Sequence, residues 1–470
     1  MRHRAFDRQS AHCRDASVFS GTRISWAVID RKPILTRRND GATIYYDIIV
    51  LYRNTIEMTR LEADVSAFAG DLPARAASSL DVDPYDDAVL ENPYPMYEAL
   101  RAAGPVAWLP KYGVYVMGRH RDILPVLKDW ETFSSTGGSG LADVRKPDAW
   151  RPPSPIVEVD PPRHTHVRSV LQRILSPGQI RQWREDFEAE AVRLVDELVE
   201  RGSFCGVADL AEAYVATTFP PALGLENSPD RREKLFLLGA LNFDGQGPRN
   251  ARFEATKRKA DAIWDWYLNS MKREAMLPGG FGEKIFLAAD AGEIEQETAP
   301  LLVRSFLRGG LDTTSSMISA ALWYLAMDPD QWRLLRQDPA RIKAALDEAM
   351  RLETPIPNVC RQTMREVVID GVKVENDAKI LVILASANRD PERWERPDSF
   401  DVTRQTMGHL ALGTGVHMCV GQMIARLEGE AVLKALIPRV ESIELVGEPV
   451  RALNNNLRSL ATLPLRVVAA

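Results

Sequence analysis

Cys419 stands in Leu412-Gly413-Thr414-Gly415-Val416-His417-Met418-Cys419-Val420-Gly421, just ahead of a helical stretch running through Ile424, Leu427 and Val432. A lone cysteine between closely spaced glycines at the start of a helix is a poor disulfide candidate and a good thiolate ligand for a metal. The amide N–H groups and positive dipole end of a helix N-terminus favour S⁻ over SH. Gly415 and Gly421 permit unusual backbone angles and let a flat group approach the chain closely. A second stretch, Arg304-Ser305-Phe306-Leu307-Arg308-Gly309-Gly310-Leu311-Asp312-Thr313-Thr314, lies in a long apolar helical pattern. Two consecutive glycines there cost about 1 kcal/mol each relative to Ala, so something should offset them. A hydroxyl beside a carboxylate can relay protons through water. The plainer alternatives are a glycine turn around a buried cysteine, and a packing notch beside an ordinary polar pair.

The cysteine loop resembles the ligand loop of the cytochromes P450, written F-x-x-G-x-[HR]-x-C-x-G. Gly415, His417, Cys419 and Gly421 match it, and Leu412 replaces the usual Phe. The resemblance implies haem b held by the Cys419 thiolate, which pushes electron density toward bound dioxygen and favours O–O cleavage. It implies that Gly309 and Gly310 open the long helix for dioxygen, and that Asp312 and Thr313 deliver protons. A smaller residue at Leu412 is expected to leave the sulfur less shielded. His164 and Arg168, in Asp160-Pro161-Pro162-Arg163-His164-Thr165-His166-Val167-Arg168, with Arg361 and His417, match the family's haem-propionate partners. Glu348-Ala349-Met350-Arg351 puts Glu and Arg at i and i+3 on one helix face, and Arg404 is expected to complete a structural network with them. The resemblance spans roughly residues 80 to 465 and implies a mainly α fold with a minor β-sheet region, one large helical haem domain.

Periodicity places the elements that would position these residues. Helices are expected over 93–103, 178–202, 249–274, 297–327 and 338–353, and strands over 106–109, 114–117, 367–369 and 379–384. Residues 1–57 are Arg-rich and lack helical periodicity, so they read as a non-native or disordered extension, with the haem domain over 58–470. No apolar run reaches the roughly 18 residues of a membrane span; the longest candidate, 42–52, is short and interrupted by Asp47.

The chain has 470 residues, 45% hydrophobic and 26% charged, with a formal net charge of −6, which suits a globular protein. No basic stripe or zinc spacing points to nucleic acid. The four cysteines, Cys13, Cys205, Cys360 and Cys419, form no C-x-x-C pair. That suits a reducing cytoplasm and excludes an iron–sulfur cluster held by cysteines of this chain. Electrons are therefore expected from a separate iron–sulfur ferredoxin and its NAD(P)H-dependent reductase, with O2 as co-substrate.

Several stretches look closer to one bacterial group, the monooxygenases that oxidise para-substituted benzoates such as 4-methoxybenzoate. They are Lys146 to Ser154, Leu301 to Ser305, Ser386 to Asp390 and Gly413 to Leu427. In that group an Arg and a Ser matching Arg151 and Ser154, with a helix Ser matching Ser305, reach the substrate carboxylate. Arg308 stands where the group has a small polar residue. A buried guanidinium needs an anion, from the substrate or from a protein carboxylate. The small aromatic carboxylate substrate is thus an expectation. A peroxide-driven hydroxylase and a non-catalytic haem sensor are the alternatives, both disfavoured by the intact Asp312-Thr313 pair.

Overall fold

The apolar run from Thr298 to Met327 forms the spine of the protein, in two pieces, Thr298–Gly309 and Asp312–Met327. The computed structural model describes residues 75–470 apart from Asp148 and Pro229, so the expectations for residues 1–57 and for the 42–52 run lie outside the described residues. The expected single helix breaks at Gly310 and Leu311 for a local reason. Thr313 Oγ1 donates to the Gly309 carbonyl at 2.7 Å and Thr314 Oγ1 to the Gly310 carbonyl at 3.1 Å. Side-chain hydroxyls satisfy two carbonyls where glycines make the backbone most pliable.

Helix Pro177–Arg201 lies against helix Gln422–Leu436, which follows the cysteine loop. Ala191, Val195 and Leu198, at i, i+4 and i+7, are buried in this layer. The expected 249–274 helix is interrupted, forming Ala251–Asp261 and Trp264–Ser270, and the 338–353 helix begins at Ile342 after a short turn over Pro339–Arg341. Helices Arg231–Asp244 and Phe281–Asp290 were not expected from periodicity.

The main sheet has six strands in the order Ser78–Ser79, Ala107–Leu109, Val114–Met117, Lys379–Ile383, Asn358–Thr363 and Phe133–Ser134. Met117, Ile380 and Val382 are buried with Val126 and Leu127 of helix His120–Lys128 in a core separate from the helical one. No helix among the described residues is long and apolar enough to cross a membrane.

Glu348 and Arg351 are fully buried. Arg351 pairs with Glu348 at 2.7 Å and donates to the carbonyls of Asn388 and Pro397, while Arg404 Nε reaches Glu348 Oε1 at 2.8 Å. The expected triad thus pins residues 388–404 under the cysteine loop, and Asn388 Oδ1 accepts the Leu410 amide at 2.7 Å.

Candidate active site

Two turns aim the cysteine. Gly413 and Gly415 have φ of 68° and 65°, a left-handed conformation that favours glycine. Gly421 differs from the expectation: its φ is −85°, so it serves by its small size, lying 4.0 Å from Cys419 Sγ where a Cβ would begin. The Cys419 amide donates to the Leu412 carbonyl at 2.8 Å, and the Leu412 side chain packs on the helical core. Burial pushes the Cys419 thiol up. The Gly421 and Gln422 amides at the helix start, with Arg168 and Arg426, pull the other way. The helix terminus acts in the direction expected from sequence, while burial is the larger effect on the bare thiol.

Around this loop sit four groups with unspent donors. His164 is 1% exposed and neither of its ring nitrogens has a partner among the described residues. Its ring centroid lies 4.4 Å from that of His417. His417 Nε2 is 3.7 Å from Asp160, beyond hydrogen-bond length. Arg361 is buried and donates only to the Cys360 carbonyl. Arg168 makes no hydrogen bond with a described residue, and burial lowers its pKa. Desolvation lowers His164 to about 4, with His417 and Arg168 adding positive charge nearby. Buried cations and imidazoles without acceptors call for carboxylates. The set fits haem, whose two propionates would fill it.

The central helix supplies the facing wall. Gly309 is exposed within the fold, and a Cβ there would meet nothing within 4 Å. Gly310 faces elsewhere: its Cβ would come 2.3 Å from Phe219 Cζ. The two glycines therefore do different work, one bordering open space and one permitting close packing. Thr313 is partly exposed beside Gly309. Asp312 is buried with Oδ2 unpartnered, turned toward Gly239 of helix Arg231–Asp244. Burial pushes its carboxyl well up. No hydrogen bond joins Asp312 to Thr313 among the described residues, so a relay between them needs water.

Toward the start of the same helix lies the cluster around Arg151. Ser154 Oγ and Ser305 Oγ are 3.0 Å apart. Arg151 binds Glu158 through both terminal nitrogens, at 2.6 and 2.7 Å. Glu158 also accepts from the Ser139 amide, Ser139 Oγ and the Ser154 amide. Burial opposes ionisation of Glu158, but Arg151 and these amides bring it down to about 2. Arg304 donates to the Pro152 and Pro153 carbonyls. Arg308 is 8% exposed and makes no hydrogen bond or ion pair with a described residue. Burial pushes it down to about 9, with Arg151 and Arg304 adding to the effect, so it stays charged at neutral pH. The structure thus brings Arg151, Ser154, Ser305 and Arg308 together as expected. Sequence reasoning missed Glu158, Arg304 and Tyr267, whose ring sits in the same electrostatic neighbourhood. A signal existed for Arg304: two arginines at i and i+4 in an apolar helix repel each other.

The anchoring loop has little regular structure. Half-buried Lys379 Nζ donates to the carbonyls of Gly137, Gly140, Leu141 and Ala142. Trp150 Nε1 donates to the Gly245 carbonyl at 3.2 Å, and the Leu141 amide to Gln246.

A profile of the Cytochrome P450 family matches residues 284–465. The chain is 44% identical over 392 residues to cytochrome P450 CYP199A2 of Rhodopseudomonas palustris, across 83% of this chain and 95% of that one. It is 31% identical to the beta-dihydromenaquinone-9 omega-hydroxylase of Mycobacterium tuberculosis, across 82% of this chain and 78% of that one. The solved structure of cytochrome P450 CYP109Q5 from Chondromyces apiculatus is similar with a TM-score of 0.69 at 30% identity, covering 83% of this chain and 99% of that one. With these relatives and this fold, the chain belongs to the cytochrome P450 family of haem-thiolate monooxygenases.

Proposed function

We propose that this monooxygenase oxidises a compact aromatic carboxylate, by hydroxylation or O-demethylation, with electrons from a separate ferredoxin. Cys419 is the iron ligand in this reading. His164, Arg168, Arg361 and His417 hold the propionates, and Leu412 and Gly421 border the thiolate. Bound haem supplies the activation of dioxygen. The chain's residues do the rest. Gly309 leaves room above the ring. Burial without a partner pushes the Asp312 carboxyl well up, toward the protonated form that can donate. Thr313 Oγ1, whose own hydrogen goes to the Gly309 carbonyl, keeps a lone pair that can accept from water and hold it in the open space.

The observation that carries the substrate class is the buried guanidinium cluster. Charge-assisted hydrogen bonds from Arg151, Arg308 and the Ser154 and Ser305 hydroxyls would fix one end of an aryl acid and leave the other toward the iron. The resemblance to benzoate oxidisers supports the same reading. Cysteine supply supports a separate electron donor: with Cys419 on iron, three cysteines remain, one short of a four-cysteine cluster. The free thiols among the described residues suit a reducing cytoplasm.

The test is a haem spin-state titration with 4-methoxybenzoate and its methyl ester, alongside turnover with NADH and a ferredoxin pair. The acid is expected to bind about tenfold or more tightly than the ester, and Cys419→Ala to lose the red-shifted carbon monoxide band. Equal binding of acid and ester refutes the substrate class. Turnover with peroxide alone, and none with NADH, refutes the electron source.

A further inference from the structure

Three guanidinium groups, those of Arg151, Arg304 and Arg308, share one buried neighbourhood, on one helix and the loop bonded to it, in which Glu158 is the one carboxylate found among the described residues. That carboxylate is fully committed. Its Oε1 accepts from the Ser139 amide, Ser139 Oγ and Arg151, and its Oε2 from Arg151 and the Ser154 amide. Tyr267 does not supply a second anion, because burial raises its phenol and keeps it neutral. One carboxylate against three guanidiniums leaves two positive charges. One sits on Arg304, which is partly satisfied by two backbone carbonyls, with Nε buried and unpartnered. The other sits on Arg308, which has no hydrogen-bond acceptor among the described residues. The two lie at i and i+4 on one helix, a repulsive spacing without an anion between them.

We infer that the substrate is a dianion, an aromatic ring whose anchored end carries two negative charges, and that Arg308 is the residue that selects it. The inference rests on the aryl-acid reading above and narrows it. A single carboxylate leaves one buried guanidinium uncompensated, the costly arrangement. Two neighbouring carboxylates, or one phosphate monoester, balance the site. Both place paired oxygens for forked recognition by Arg. Ser154 and Ser305 add hydroxyls 3.0 Å apart; Ser305 Oγ donates to the Leu301 carbonyl, so its hydrogen must leave that carbonyl to reach a ligand.

Calorimetry on the haem-loaded full chain at pH 7.5 tests this, with four probes: methyl 4-methoxybenzoate, 4-methoxybenzoate, 4-methoxyphthalate and 4-methoxyphenyl phosphate. At least one dianion is expected to bind about tenfold or more tightly than 4-methoxybenzoate, and whichever leads distinguishes a dicarboxylate from a phosphate. Arg308→Met should erase that preference, weakening the leading dianion about tenfold more than it weakens 4-methoxybenzoate. Arg308→Lys, which keeps the charge, should retain part of it, and the carbon monoxide band checks the fold of each variant. The inference is overturned if 4-methoxybenzoate binds as tightly as both dianions, or if the dianion preference survives in a folded Arg308→Met. If the acid beats its ester but no dianion beats the acid, only this inference fails. If the ester equals the acid, the aryl-acid reading fails with it.

Discussion

Replacing Glu158 by Gln removes the one carboxylate from a cluster of three guanidiniums without changing its size. The structure gives the magnitude. The carboxyl falls from an ordinary 4.5 to about 2 in the folded protein, a difference that corresponds to roughly 3 kcal/mol of stability. Breaking a buried ion pair by neutralising one partner costs about 3–5 kcal/mol, in the same range. The sign follows from a folded value below the unfolded one. The contribution is fully present above about pH 4.5 and is lost as pH falls toward 2. Urea denaturation of unaltered protein and Glu158→Gln should therefore differ by about 3 kcal/mol at pH 7. The gap should narrow by about 1 kcal/mol at pH 3.5, because the unaltered protein alone loses the carboxylate's contribution. A gap below about 0.5 kcal/mol at pH 7, the size of an ordinary surface substitution, would refute the pairing. A gap that widens on acidification would refute the titration argument.

The two glycines of the central helix should separate in the same kind of measurement. Gly310→Ala drives a methyl into Phe219 and should cost about 1–3 kcal/mol, whereas Gly309→Ala should melt no lower than the unaltered protein and should weaken substrate-induced spin shifts by crowding the open space. Thr313→Ala should consume NADH at a normal rate while releasing peroxide and losing product. Asp312→Asn should slow oxygen consumption itself; wild-type rate and coupling in both variants would mean protons arrive by another route.

The parts of the site that could be read from sequence are those that chain neighbours build. Gly413 to Gly421 is a local turn onto a helix, so its residue types and their spacing nearly determine its shape, and only the division of labour among its glycines was misread. Glu348 and Arg351 share a helix turn. Glu158 is different. It is one acid in an irregular loop, Val157-Glu158-Val159, and nothing nearby in sequence marks it as buried. Its role is set by Ser139, Arg151 and Ser154, which the fold gathers around it. The break at Gly310 and Leu311 was hidden for a related reason. Apolar periodicity runs straight through it, and the pliable glycines with the threonine hydroxyls bonded to their carbonyls leave that pattern unchanged. Asp312 turns away from Thr313 because the space beside Gly239 admits it, which a pattern on one helix cannot reveal.

Lys379 holds a segment of the active site that it does not enter. Its ammonium ties four carbonyls of the loop that leads to Arg151 and Ser154, and that loop leans on Gly245 and Gln246 at its other contacts. A segment so held is expected to open as a unit, against these hydrogen bonds and the packing of buried Val144 and of Trp150 on Phe253. The fraction of molecules with this loop closed multiplies the intrinsic affinity for any anchored ligand. Ligand affinity in this protein is thus partly a property of the sheet strand that carries Lys379. Amide exchange from Gly137 to Lys146 should slow together when ligand binds, although the proposed anchor residues Arg151 and Ser154 lie beyond that stretch.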